Sequence, residues 1–235
     1  MKRKPYIIYI ILFSLYILLI TAAFIGLERY SSVSSVPDLS PAIIIDAGHG
    51  GEDGGAVSNG IIEKDINLKI AKKLRNILNI SGYKVTMTRD SDKMINKFGK
   101  TLRERKVSDM KERLSIFNSD NNNVVVSIHQ NKFSIERYNG AQVFYGTKSK
   151  NSKALAQSIK DSIHTLLQPD NKREIKQADS NIYLLYNSNV CSVIVECGFI
   201  SNINEAINLN RNDCQNKIAF AIYNGILDYY NNIRG

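Results

Sequence analysis

From residue 42 onward the chain alternates short apolar runs with stretches of 3.6-residue periodicity, and no other feature constrains its fold as strongly. Residues 42–46 read as a strand, after which Ile66, Ile70, Leu74, Ile77 and Leu78 fall on one helical face that Gly82 brings to an end. A strand over 83–88 is predicted next, then a charged loop over 94–100, a helix marked by Val107, Met110, Leu114 and Phe117, and a strand over 124–128. The second half repeats the style. It gives a strand over 141–145, a helix through Leu155, Ile159, Ile163 and Leu166, strands near 182–185 and 190–195, and a closing helix marked by Ile218, Ile222, Ile226, Tyr229 and Ile233. Strands separated by single helices need crossover connections. The pattern therefore predicts an α/β fold: one domain with a mostly parallel, doubly wound sheet and helices on both faces. There is no internal repeat and no second domain.

Before this domain, Lys2, Arg3 and Lys4 precede residues 5–27, which contain no charged side chain. A spanning helix needs roughly 20 apolar residues, whereas the apolar part of a secretory signal has about 7–15. Residues 1–29 are therefore expected to be an N-terminal membrane segment, an anchor in preference to a cleaved signal, although Ala22 and Ala23 leave cleavage open. The basic residues should stay in the cytoplasm, which puts everything after Glu28 outside. Residues 30–41, rich in Ser and Pro, read as an exposed linker, and 42–235 as the folded domain.

Composition excludes some classes. With 43% hydrophobic and 23% charged residues, 14 Gly and 4 Pro, the chain is neither disordered nor collagenous. Its formal charge of +9 falls to +6 without the three leading basic residues, which argues against nucleic acid as a partner. Three cysteines cannot build a disulfide fold. Cys191 and Cys197 bound an apolar strand whose six steps cover about 20 Å, beyond the roughly 7 Å limit for a bridge. They read as small buried hydrophobes.

The densest chemical signal is Asp46-Ala-Gly-His49-Gly-Gly-Glu-Asp-Gly-Gly55, directly after the first strand. It is no phosphate loop: the glycine spacing is wrong, no Gly-Lys-Ser/Thr follows, and Asp46, Glu52 and Asp53 repel phosphate. An acidic, flexible loop carrying His suits a cation. In Ser127-Ile-His129-Gln-Asn131 a second histidine ends an apolar strand, and open α/β sheets place ligands outside the carboxyl ends of their strands. Both histidines should meet at that edge; His164, on a helix, should be a surface or partly buried residue. Zinc accepts imidazole nitrogen and carboxylate oxygen and keeps a position for water in catalytic sites, so a third protein ligand is needed. Glu63, opening the helix after the glycine loop, is one candidate carboxylate. Glu196 is the other; it closes an apolar strand, where a charge needs a partner, and beside a metal it has a use as general base.

Together, Asp46-Ala-Gly-His-Gly-Gly, Glu63-Lys-Asp, Thr88-Arg89, Ser127-Ile-His129-Gln-Asn131 and Glu196-Cys-Gly-Phe-Ile-Ser-Asn202 resemble the zinc-dependent N-acetylmuramoyl-L-alanine amidases of bacterial peptidoglycan, in order and spacing, over residues 42–232. The short form, one catalytic domain behind a membrane segment, is similar to the spore-cortex, germination-specific amidases of endospore formers, the CwlD type. The resemblance implies Zn2+ held by His49, Glu63 and His129, Glu196 as the catalytic glutamate, and Asn131 near the substrate. Two positions depart from the usual pattern: Gln130 stands where a small residue is common, and Leu185-Tyr186 where many members carry a basic residue.

The implied reaction is hydrolysis of the amide between N-acetylmuramic acid and L-alanine in a peptidoglycan glycan strand with its stem peptide. In the cortex type this is the first step toward muramic-δ-lactam, carried out outside the cytoplasm in the forespore intermembrane space. An activating partner protein that promotes metal loading is a further implication. Two rivals share the fold: a vegetative wall amidase with the same site, and a catalytically inactive peptidoglycan-binding module.

Overall fold

The protein is described by a computed structural model covering residues 4–31, 42–58 and 60–234, with side chains of the first helix described from residue 9 to 22. The chain divides into two units, residues 1–40 and 41–235. In the first, α1 (Lys4–Ser31) is a helix whose described side chains are all exposed. Among the described residues no helix is long and apolar enough to cross a membrane; side chains 9–22 are fewer than the roughly 20 that a span requires. The expected linker, 30–41, lies outside the described residues from position 32 on.

The second unit is built on a six-stranded sheet. Its strands are β1 (Ile43–Ala47), β4 (Val85–Met87), β5 (Val124–Asn131), β6 (Gln142–Tyr145), β7 (Lys176–Gln177) and β8 (Cys191–Phe199), in the order β4-β1-β5-β8-β6-β7. Only the β6–β8 pair is antiparallel. The central strands β1, β5 and β8 are continuous apolar runs because both of their faces are covered. A two-stranded hairpin, β2 (Val57–Ser58) with β3 (Ile61–Ile62), interrupts the path from the glycine loop to the first crossover helix.

On one face lie α2 (Glu63–Ile80), α4 (Asn151–Leu166) and α7 (Asn212–Arg234). Their apolar stripes form the main core with the sheet: Ile66, Ile70, Leu74, Leu155, Ile159, Ile222 and Ile226 pack with Ile43, Ile45, Val126 and Val195. On the other face, α3 (Leu102–Phe117) and the short α5 (Tyr183–Asn187) cover a smaller cluster of Ile44, Phe117, Val125, Leu184 and Val190. The helix α3 starts at a capping box in which Thr101 accepts from the Glu104 N–H while the Glu104 side chain accepts from Thr101 N–H. A last helix, α6 (Ile203–Leu209), is capped by Asn202.

Two expectations need correction. The stretch 182–185 is helical, not a strand. Asp179 accepts the Ile182 N–H through its backbone and the Asn181 N–H through its side chain, a polar turn that starts α5. Strand β7 at 176–177 takes that edge position instead. The stripe assigned to α3 holds at Met110, Leu114 and Phe117, which pack on the smaller cluster, but fails at Val107, which is exposed, and the helix also buries Asp109 and Arg113. The cysteines behave as expected, since all three are free and Cys191 and Cys197 are buried.

Candidate active site

Strand β1 delivers the glycine loop to the carboxyl edge of the sheet, where Asp46 and Ala47 register with Ser127 and Ile128 of β5. The loop is held from beneath by two buried arginines. Arg89 donates to the carbonyls of Ala47 (2.8 Å), Gly48 (3.0 Å) and Lys64 (2.8 Å), so one guanidinium joins the loop to the start of α2. Arg113, from α3, donates to the carbonyls of Ala47 (2.9 Å) and His49 (2.7 Å) and ion-pairs with Asp46 and Asp109. Asp46 also accepts from Thr88 (2.7 Å) and Ser127 (2.5 Å). Burial alone would raise the Asp46 pKa, but the charges of Arg113 and His129 with these hydrogen bonds outweigh it and hold the carboxyl at about 2.

The loop's other acidic residues are matched by α3 as well. Glu52 pairs with Arg105 (2.5 Å), and Asp53 with Lys106 (2.6 Å). Asp53 in turn faces His49 Nδ1 at 2.8 Å. His49 sits in the left-handed region, φ 63°, which is uncommon for a non-glycine residue and turns its side chain at a site where strain marks function.

Three side chains converge above this base. Glu63, first residue of α2, places Oε1 3.1 Å from His129 Nδ1 and 3.3 Å from His49 Nε2. The imidazole centroids are 5.0 Å apart, and the three ligand atoms lie within 4.8 Å of one another. Burial disfavours the Glu63 carboxylate, but both histidines overcome it and push its pKa far below the usual range. Burial likewise opposes charge on His49; hydrogen bonds to Asp53 and Glu63 prevail and raise it to about 9.

The cradle is shaped for these side chains. A Cβ on Gly48 would lie 2.2 Å from the His129 ring, and one on Gly55 2.5 Å from Glu63 Oε2 and 2.7 Å from His49. Glycine is required for the loop to approach so closely. Two imidazole nitrogens and a carboxylate oxygen, with the second nitrogen of His49 held by a carboxylate, fit a divalent metal ion. A cavity of about 260 Å³ opens beside it, lined by His49, His129, Asp53, Lys106 and Arg113 among others.

Glu196 registers with His129 across the β5–β8 pair and with Gln142 on its other side. Its Oε2 is buried without a hydrogen-bond partner among the described residues. Burial, reinforced by the Glu63 charge and opposed by His129 and His49, pushes its pKa up to about 7. Asn131 ends β5 beyond a register shift opposite Phe199; it is partly buried, and its carbonyl accepts from Ile200 N–H (2.8 Å). His164 lies partly buried on α4, apart from this group.

Sequence reasoning named the three metal-facing residues and Glu196 but passed over what holds them. The sequence shows Asp53 only as a charge hostile to phosphate and Gln130 only as a departure from pattern, and gives Arg113 no role. Asn67 went without notice, although an amide among Ile66, Ile70 and Leu74 on a buried helix face was a usable signal.

Comparison with known proteins agrees with this geometry. Residues 43–228 match the Amidase_3 family model, N-acetylmuramoyl-L-alanine amidase. The germination-specific N-acetylmuramoyl-L-alanine amidase of Bacillus subtilis is 36% identical over 197 residues, 83% of this chain and 82% of that protein. Among solved structures, the CwlD amidase of Clostridioides difficile in complex with the GerS lipoprotein aligns with a TM-score of 0.78 and 42% identity, covering 81% of this chain and 98% of that one. The amidase AmiC2 of Nostoc punctiforme aligns with a TM-score of 0.67 and 31% identity, covering 82% and 98%. With its sheet, glycine loop and a cluster of side chains able to hold a metal in place, this chain belongs to the N-acetylmuramoyl-L-alanine amidase family of peptidoglycan hydrolases.

Proposed function

We propose that the chain hydrolyses the amide between N-acetylmuramic acid and L-alanine in the peptidoglycan of the spore cortex, with zinc held by His49, Glu63 and His129. What carries the reading is the convergence of those three ligand atoms beside a carboxylate, Glu196, whose buried Oε2 has no hydrogen-bond partner among the described residues. A zinc ion held by these residues would supply Lewis acidity toward the amide carbonyl and toward a water molecule. Glu196, its pKa near neutrality, accepts a proton from the attacking water and returns it to the departing amine of L-alanine. Asn131, on the same strand edge, lies near the substrate. Asp53, 2.8 Å from His49 Nδ1, would hold a proton there when a metal takes the place of the proton on Nε2.

Residues 1–29 act as the membrane anchor or export signal, 30–41 as linker and 42–235 as the catalytic domain, working outside the cytoplasm in the forespore intermembrane space. The uncharged run over 5–27 behind three basic residues supports export. A cortex role draws support from the germination-specific relative, and an activating partner protein from the relative solved with a lipoprotein. Glu196→Gln should keep metal content and lose turnover by about 10²–10⁴-fold; undiminished release of stem peptide would remove Glu196 from the mechanism. Deleting the gene should abolish muramic-δ-lactam in spores. Unchanged δ-lactam would move the substrate to the vegetative wall, and a metal-free, inert protein would leave a binding module.

A further inference from the structure

Asn67 is a fully buried amide one helical turn after Glu63 on a face otherwise made of Ile66, Ile70, Ala71 and Leu74. A buried amide is costly without partners, and Asn is a weak helix former, so a residue chosen for packing would be apolar. Every polar atom of this side chain is used. Its Nδ2 donates to Glu63 Oε1 (3.2 Å) and to the Gly48 carbonyl (3.2 Å), and its Oδ1 accepts from Gln130 Nε2 (3.1 Å). Gln130 is itself buried, and its backbone N–H donates to the same Glu63 Oε1 (3.1 Å), while Ala56 N–H donates to Oε2 (2.7 Å).

These contacts select three places in the chain. Glu63 is one metal-facing residue, Gly48 adjoins His49, and Gln130 adjoins His129. A single amide thus ties together the three segments that carry the ligands, and it grips the one oxygen that faces both imidazoles. We propose that Asn67, itself held by Gln130, is a positioning residue that fixes the Glu63 carboxylate and the spacing of the three ligand segments, and so sets metal affinity. Gln130 thereby gains a purpose at a position where a small side chain could not reach Asn67. The proposal rests on the reading of His49, Glu63 and His129 as metal ligands.

The test uses the full chain in detergent, with zinc affinity read by chelator competition and ligand geometry by the visible absorption of the cobalt-loaded form. Wild type should bind one ion and Glu63→Ala none. Asn67→Leu, close in size but without polar atoms, should weaken zinc about 10–100-fold and shift the cobalt spectrum. Gln130→Met should cause a smaller loss and add nothing in the Asn67→Leu background, since it acts through Asn67. Ile159→Ala, a core deletion on α4, should lower the melting temperature while leaving affinity and spectrum unchanged. Wild-type affinity in Asn67→Leu, or an equal loss of affinity in Ile159→Ala, overturns the proposal and leaves the metal site standing. Zinc retained at wild-type affinity by Glu63→Ala overturns the metal reading and the proposal with it.

Discussion

The sheet is closed by helices of opposite character on its two faces. On the side of α2, α4 and α7 the contact away from Asn67 is mainly hydrocarbon, from Ile70 and Leu74 through Ile159 to Ile222 and Ile226. On the side of α3 the helix turns Asp109 and Arg113 inward and leaves Val107 exposed, and its basic residues reach Asp46, Glu52 and Asp53 in and beside the glycine loop. The first face holds the domain together without direction, since apolar burial scales with area and not with orientation. The second holds one loop in one conformation, because charge-assisted hydrogen bonds are directional and arginine's fork fixes its acceptors in place. A candidate metal site carried on a glycine-rich loop needs the second kind of support.

The contrast can be broken by substitution. Arg113→Ala removes the buried partner of Asp46 and Asp109 and a donor to the His49 carbonyl, so it should cost about 3–5 kcal/mol by urea denaturation and weaken metal binding in the molecules that stay folded. Intact metal affinity would mean that α3 serves stability alone. A smaller effect appears on acidification. The Asp46 pKa is lowered from 3.8 to about 2 in the folded chain, so its contribution is complete above about pH 4 and fades as pH falls through about 2. The shift corresponds to about 2 kcal/mol. The stability gap between wild type and Asp46→Asn should therefore narrow over that window, and a constant gap would locate the effect elsewhere. Least of all, Ile222→Val on the apolar face should cost about 0.5–1.5 kcal/mol with metal affinity untouched; a change in affinity would erase the distinction between the faces.

Much of the fold was legible because its signals are local. Buried central strands read as Ile, Val and Ser runs, and α2, α4 and α7 show their inward stripes in the sequence. The errors came where local pattern and environment part. Residues 182–185 look like an apolar strand, but the polar turn at Asp179 leads into a helix over Tyr183–Asn187. Helix α3 looked like an apolar stripe, but the loop it faces carries buried carboxylates and its arginine turns toward them.

The alternation of strand and helix, the glycines that let the loop approach its neighbours, and the identity of the groups able to hold a metal are written in the sequence, because they depend on residue type and near spacing. Which of those groups meet depends on the folded chain. His49, Glu63 and His129 are brought together by parallel registry of β1 with β5 and by the helix that opens at Glu63. The folded chain also decides what holds them, since Arg113 lies 67 residues from Asp46 and Gln130 63 from Asn67. Such pairings are set by topology, and no local pattern encodes them.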